Sequence, residues 1–209
     1  MSELSARRRH VLGIIVPQVV PSTYGDAKFK RIDANWKPGA GYTTCGGLPS
    51  HVASQLGVTD KCKAQGILGS GLASLRDAAM MQNAWVHHDL SRLSAKDAIR
   101  PKPGDLYMLC SGEDGAHKTN CICLSTKTKG RPAKVEHVGV IVSARGTLWK
   151  TADAGQPNGN VECARYCERT FNPAIGWLTG ETDGKGGKPM RRLCGWLDID
   201  KYPFIKYPL

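Results

Sequence analysis

The sequence lacks any long hydrophobic run. No stretch approaches the roughly 20 consecutive apolar residues that a membrane-spanning helix requires, so we expect no stable membrane insertion. Near the N-terminus, three arginines precede the short apolar run Val11–Val20, which resembles the start of a signal peptide. Pro17 and Gln18 interrupt that run and no small-residue cleavage site follows it, so we do not expect a classical signal peptide. We interpret Val11–Val16 as a buried strand after a basic tail.

Acidic residues are also scarce relative to basic ones. The 209 residues include 18 Asp and Glu against 29 Lys and Arg, which gives a net charge of +11. Such a charge attracts polyanions, namely nucleic acid, anionic lipid or acidic cell-wall polymer, but it identifies no reaction. The hydrophobic content of 41% predicts a folded protein. Because the sequence has no internal repeats and no convincing linker, we predict one domain over residues 1–209, with a core at about 41–156 and decorations at 1–40 and 157–209.

The order of the predicted elements, with helices first and antiparallel strands afterwards, is typical of an α+β fold. Apolar spacing predicts helices over Pro49–Leu56 and over residues 70–89. Gly146 is expected to turn a hairpin between two of the strands. The predicted strands are Leu106–Cys110, Val135–Ser143, Thr147–Ala152 and Arg192–Ile199.

Eight cysteines are many for a cytosolic protein, and they indicate an oxidising destination. If Cys45 stays a free thiol, seven remain, so at most three disulfides can form. We favour disulfides that staple the polar insertion at residues 111–134 and the C-terminal segment over a zinc site, because the tight Cys-x-Cys spacing is less usual for zinc. Their connectivity stays open on the sequence. The cysteines in question are Cys121, Cys123, Cys163 and Cys167, and Cys110 and Cys194 are further candidates.

Cys45 is a candidate nucleophile because it stands immediately before a predicted helix. A thiol attacks only as the thiolate, and its ordinary pKa near 8.5 leaves little thiolate at pH 7. The positive end of a helix corrects this, and its unpaired N–H groups could also hold an oxyanion. Gly46 and Gly47 would let a substrate backbone approach closely. The alternatives for Cys45 are a small buried residue or half of a disulfide.

A nearby imidazole is the second device that activates a thiol. His137 begins the strongest predicted strand and is the candidate general base. A hairpin around Ala144–Gly146 brings Asp153 to the same end of the sheet, where it could orient the imidazole. Gln156 is the alternative orienting residue. His137 could instead be a surface histidine, and Asp153 an ordinary turn aspartate.

Together these residues resemble the NlpC/P60 and CHAP-type cysteine peptidases and amidases, which include peptidoglycan amidase effectors of type VI secretion. The resemblance covers residues 41–156. It rests on Cys45 before a helix, Pro101–Leu106 (Pro-x-Pro-Gly-Asp-Leu), the strand His137–Ile141 and Asp153. The usual Asp-Cys-Ser-Gly of the family is Thr-Cys-Gly-Gly here. The resemblance implies a papain-like fold with a nucleophile helix packed on an antiparallel sheet.

The resemblance also implies a function. Cys45, His137 and Asp153 would cleave amide bonds in peptidoglycan peptide stems, with no cofactor and no metal. Tyr42, Gly46, Gly47 and Gln156 are the candidate substrate-binding residues. We expect a secreted antibacterial toxin that acts in the periplasm of a target bacterium, with an immunity protein as partner and no nucleic acid bound.

Two other functions remain open on the sequence. The same three residues could serve a deamidase or a protease that acts on proteins. Alternatively, the chain could be a non-catalytic module, stabilised by disulfides or zinc, that binds a polyanion.

Overall fold

The computed structural model describes residues 4–68, 71–87, 99–111, 135–172, 177–179 and 191–207. It has mixed α+β structure, and the predicted fold class is confirmed at that level. Within those ranges, no helix is long and apolar enough to cross a bilayer. The α-helices are α1 (Ala6–His10), α2 (Gly47–Leu56), α3 (Asp60–Ala64) and α4 (Leu72–Met81). The strands are β1 (Ser22–Thr23), β2 (Trp85–His87), β3 (Leu106–Ser111), β4 (Val135–Arg145), β5 (Leu148–Asn158), β6 (Val161–Asn172), β7 (Trp177–Thr179) and β8 (Arg191–Leu197).

All eight strands belong to one antiparallel sheet, whose main order is β1-β6-β5-β4-β3-β8-β2. Strand β7 pairs with both β6 and β8, so strands β3 to β8 form a closed ring. Strands β1 and β2 extend β6 and β8 outside this ring. Three of the ring strands follow residue 156, which shows that the C-terminal part of the chain completes the sheet.

Two apolar clusters cover the two faces of the ring. One joins the helices to the outer face, for example through Leu48 of α2 and Val138 of β4. The other fills the interior, where Trp149 stacks on Phe171 with ring centroids 4.7 Å apart. Partners in an antiparallel ladder point to the same face. His137 lies opposite the interior residue Leu109, so its side chain belongs to the inner face.

The N-terminal segment is helical, so the prediction of a strand over Val11–Val16 is wrong. Helix α1 continues as a π-helical turn, Val11–Ile15, and a 3₁₀ turn, Val16–Gln18. Val11, Ile15 and Val19 are buried while Gly13 and Ile14 are exposed, which is the spacing of a helix rather than of a strand. A continuous apolar run does not by itself separate a buried strand from a buried helix.

The predicted basic tail also has a structural role. Arg8 is 1% exposed, and its guanidinium lies 2.8 Å from Asp105, 2.6 Å from Asp198 and 2.6 Å from Asp200. Burial raises the pKa of Asp105 to about 7, although Arg8 opposes that shift. Asp105 belongs to the Pro-Gly-Asp turn, so Arg8 ties α1 to that turn and to the segment after β8.

The helix predicted over residues 70–89 is shorter than expected. Helix α4 ends at Met81, and Asn83 adopts φ 54°, in the left-handed region that terminates helices. Trp85–His87 then pairs with β8 as a strand, in keeping with the β-propensity of Trp and Val. The loop predicted over residues 179–190 and the insertion predicted over residues 111–134 lie outside the described residues except at their first positions, Thr179 of β7 and Ser111 of β3.

Candidate active site

Cys45 occupies a 3₁₀ turn, Thr44–Gly46, that leads directly into α2. Two glycines allow this turn to pack closely. A Cβ on Gly47 would overlap Ile32, and a Cβ on Gly155, which has φ 70°, would lie 2.9 Å from the backbone nitrogen of Cys45. The predicted placement of Cys45 before a helix is confirmed. Gly47 has a packing role that the sequence did not indicate.

The thiol of Cys45 is in hydrogen-bonding contact with His137, although the two residues are far apart in sequence. Burial would raise the pKa of Cys45, but this contact and a hydrogen bond of 3.2 Å from the Thr43 hydroxyl lower it overall. Nε2 of His137 is occupied by Asp153, so Nδ1 is the ring nitrogen left for the contact with the sulfur. A lowered pKa places more of the thiol in the reactive thiolate form.

Asp153 lies on β5 and is fully buried. Its Oδ1 is 2.7 Å from Nε2 of His137 and also accepts from the Tyr107 hydroxyl. Its Oδ2 accepts from the Thr151 hydroxyl and lies 3.0 Å from Nη2 of Arg169. Burial would raise the pKa of Asp153, but Arg169 and the hydrogen bond from His137 hold it well below its usual range. The carboxyl group is therefore ionised.

The hairpin between β4 and β5 sets the contact between His137 and Asp153. A bulge between Ile141 and Ser143 shifts the register by one residue, so that Asp153 pairs with Gly139, which lies on the same face of the sheet as His137. A Cβ on Gly139 would overlap Oδ1 of Asp153. The missing side chain at this position leaves room for the carboxylate to cross diagonally to the imidazole, two residues along the strand.

A groove of about 510 Å³ lies beside the Thr44–Gly46 turn. Cys45 itself is 5% exposed, and its neighbours Thr43, Thr44 and Gly46 border the groove. Three of the predicted substrate-binding residues, Tyr42, Gly46 and Gly47, contribute to the lining. The complete lining is Ile32, Asp33, Asn35, Tyr42, Thr43, Thr44, Gly46, Gly47, Ser50 and Leu68.

Gln156 has a different environment from the other predicted binding residues. It is 5% exposed, and its side-chain amide donates to the carbonyl of Ala154 over 3.4 Å. The orienting contact with His137 is made by Asp153. Gln156 is therefore placed as a buried residue of β5, outside the groove lining.

No match to this chain was found among protein-family models, curated proteins or solved structures. The geometry of the site therefore carries the functional argument.

The predicted disulfides of the C-terminal segment are absent at the positions described. Cys163 and Cys167 are free thiols, as are Cys45 and Cys62. Four residues of a strand span about 13 Å, so Cys163 and Cys167 cannot bridge to each other. Cys121 and Cys123, the other two cysteines of this prediction, lie outside the described residues. Within the described ranges, no group of three His, Cys, Asp or Glu residues could hold a metal.

Sequence reasoning missed two residues that hold the site. Glu162 accepts from the backbone nitrogen of Thr44 at 2.8 Å and from its hydroxyl at 2.7 Å, so it fixes the start of the turn that contains Cys45. Arg169 holds Asp153 from behind. Both lie on β6, a strand that the sequence analysis did not recognise. For the crowded packing around Asp153, the sequence did contain a signal. Gly139 lies inside an apolar strand, and such glycines often mark a close approach of neighbouring groups.

Proposed function

We propose that the chain is a cysteine hydrolase that cleaves amide bonds in the peptide stems of peptidoglycan. The observation that carries the proposal is the contact series from Cys45 through His137 to Asp153. A thiol, an imidazole and an ionised carboxylate in hydrogen-bonding sequence form an activated nucleophile. A papain-like fold of the NlpC/P60 type is part of this proposal, since a nucleophile turn leads into a helix that packs on the strands carrying His137 and Asp153.

In the proposed mechanism, the Cys45 thiolate attacks the amide carbonyl and forms a carbon–sulfur bond. Backbone N–H groups at the start of α2 stabilise the oxyanion. The His137 imidazolium then protonates the leaving amine, and the carbon–nitrogen bond breaks to leave a thioester. His137 next takes a proton from water, the resulting hydroxide attacks the thioester, and the thiolate is released with a free carboxylic acid. Asp153 keeps the imidazole oriented throughout. The proposed reaction needs no metal or cofactor.

The basic charge of the chain suits an anionic cell-wall substrate, since +11 favours encounter with polyanions. The groove next to Cys45 is the proposed site for the peptide stem. We further propose secretion into the periplasm of a target bacterium. An immunity protein made by the producer would protect the producer itself.

Mass analysis of muropeptides tests this function. Purified sacculi are incubated with the protein under reducing conditions from pH 5 to 8, and we expect new stem fragments that each carry one added water. Cys45→Ala should lower the rate of release at least about 10³-fold with its circular dichroism unchanged. Cys62→Ala is the matched control, because Cys62 is a buried free thiol on α3, outside the site.

Two results would redirect the proposal. Intact muropeptides across that pH range would exclude peptidoglycan stems as the substrate. Ammonia released from a protein glutamine in a Cys45-dependent manner would identify a deamidase instead.

A further inference from the structure

The interior of the ring contains a polar chain that the proposed mechanism does not use beyond Asp153. Arg169 is 2% exposed and lies on β6, on the side of Asp153 away from His137. Its Nη2 is 3.0 Å from Oδ2 of Asp153, and its Nε donates to the hydroxyl of Thr151 over 3.1 Å. That hydroxyl in turn donates to the same Oδ2. One guanidinium therefore reaches the carboxylate both directly and through Thr151.

The two oxygens of Asp153 have separate tasks in this arrangement. Oδ1 serves His137 and Tyr107, while Oδ2 serves Thr151 and Arg169. The guanidinium also lies over the Tyr107 ring, with its central carbon 5.9 Å from the centroid. Arg169 thus contacts both of the other residues that fix the carboxylate. A carboxylate held by four groups from four chain positions has little freedom to rotate away from the imidazole.

The charges explain why a buried arginine is required here. Asp153 has no exposure to water, and an isolated buried carboxylate is strongly disfavoured. Without a cation behind it, the uncompensated carboxylate would oppose the negative charge of the Cys45 thiolate, and the pKa of Cys45 would rise. With Arg169 in place, the carboxylate and the guanidinium cancel, and the proton of His137 stays free to move between the imidazole and the Cys45 sulfur.

We infer that Arg169 is a positioning residue of the proposed cysteine hydrolase and acts through Asp153, by neutralising its charge and fixing its orientation toward His137. The inference rests on the proposed catalytic role of Cys45, His137 and Asp153, but it does not depend on which amide is cut.

Several other groups face this site and bear on its pH dependence. Three residues face Asp153, namely His137 on β4, Tyr107 on β3 and Arg169 on β6. Cys167 also lies on β6, and burial, followed by the charge of Asp153, raises its pKa to about 11. Cys45 faces the hydroxyl of Thr43 and the carboxylate of Glu162, which opposes formation of the thiolate. Of the residues named here as facing Asp153 or Cys45, Arg169 is the one that carries a permanent positive charge.

The test measures alkylation of Cys45 by iodoacetamide as a function of pH, resolved from the other thiols by peptide mass spectrometry. In Arg169→Gln the charge is lost, and we expect the rate at pH 6 to fall about tenfold and the midpoint to move up by about one pH unit. Arg169→Lys cannot reach both Thr151 and Asp153, but it keeps the positive charge. Its alkylation midpoint should therefore stay within about 0.3 units of the wild type. It also serves as the informative variant if Arg169→Gln does not fold, and a shift of about one unit in Arg169→Lys would contradict the inference.

The double variant Asp153→Asn, Arg169→Gln provides the sharpest comparison. It restores neutrality, and the Asn carbonyl can still accept from Nε2 of His137. We expect it to alkylate several-fold faster than Arg169→Gln alone, because the second substitution removes the unpaired charge. A merely structural role of Arg169 predicts the reverse, with the double variant slower than either single variant, and that result would overturn the inference.

This measurement separates the inference from the proposed substrate. If the alkylation pattern is as expected while sacculi remain intact, the role of Arg169 stands and the peptidoglycan proposal fails. If sacculi are digested while Arg169→Gln leaves both the alkylation profile and the rate of digestion unchanged, the function stands and the inference is wrong.

Discussion

The hydroxyl of Thr43 acts directly on the sulfur of Cys45. It donates a hydrogen bond to Sγ over 3.2 Å, and a donor of this kind favours the thiolate over the thiol. Thr43→Val keeps the shape of the side chain and removes the donor. Because Thr43 is exposed and water competes for this contact, we expect a small rise in the pKa of Cys45.

The sign of this effect follows from the chemistry of the thiol. The thiolate is populated above the pKa of Cys45, so a higher pKa moves the midpoint of iodoacetamide alkylation to higher pH and lowers the rate at pH 6. Thr147→Val is the matched control, since Thr147 is also exposed but lies at the turn of the β4–β5 hairpin, far along the strands from Asp153. An equal shift in both variants would show that Thr43 has no specific effect on the sulfur.

Single residues could be predicted where the chemistry allows few residue types. They were missed where their role depends on packing in the finished fold. Cys45, His137 and Asp153 could be proposed because few residue types activate a thiol, and the structure brings all three together. Arg169 and Glu162 could not, because a charged residue on an unrecognised strand looks like a solvated surface residue. The burial of Arg169 and the contacts of both residues exist only after β6 pairs with β5.

Among the secondary-structure elements, the β4–β5 hairpin was the most predictable, and yet its register was not. The sequence predicted two strands joined at Gly146, and both are confirmed with longer bounds. The bulge at Val142 moves the partner of Asp153 to Gly139, which counting from the turn did not reveal. Bulges depend on the twist of the finished sheet, and the sequence of the hairpin alone does not contain that information.

Gly139→Ala tests whether this register serves the site. The new Cβ would overlap Oδ1 of Asp153 and would also crowd the Tyr107 ring, 2.8 Å away. We expect displacement of the carboxylate from His137 and a loss of about 10²-fold in the rate of muropeptide release, since small misplacements at a reacting centre are costly. The measurement is the initial rate together with the alkylation profile of Cys45.

Gly13→Ala is the matched control for that substitution. A Cβ on Gly13 meets nothing within 4 Å, and the residue is exposed on the N-terminal helical segment. If Gly139→Ala retained the rates of Gly13→Ala, the diagonal contact of Asp153 would not require an open position at residue 139.

For the molecule as a whole, the N-terminal segment determines more than its sequence indicated. Three adjacent arginines looked like one basic tail, but two of them are buried and one is exposed. Arg7 donates to main-chain carbonyls of the segment after β8, among them those of Ile199 at 2.7 Å and Tyr202 at 3.2 Å. The sequence could not separate these arginines, because their environments depend on contacts with residues almost two hundred positions away.

A comparison of Arg8→Met with Arg9→Met tests the contribution of the N-terminal segment to stability, because the two arginines are adjacent and Arg8 is buried while Arg9 is exposed. Arg8 serves three carboxylates and the carbonyl of Pro103, so its loss leaves buried acceptors and charges uncompensated. We expect the free energy of unfolding to fall by about 3–5 kcal/mol, as for other broken buried ion pairs. Arg9 is exposed, and Arg9→Met should change it by no more than about 0.5 kcal/mol. Urea denaturation followed by tryptophan fluorescence measures both, and equal losses in the two variants would mean that the cluster around Arg8 does not tie the two ends of the chain to the Pro-Gly-Asp turn.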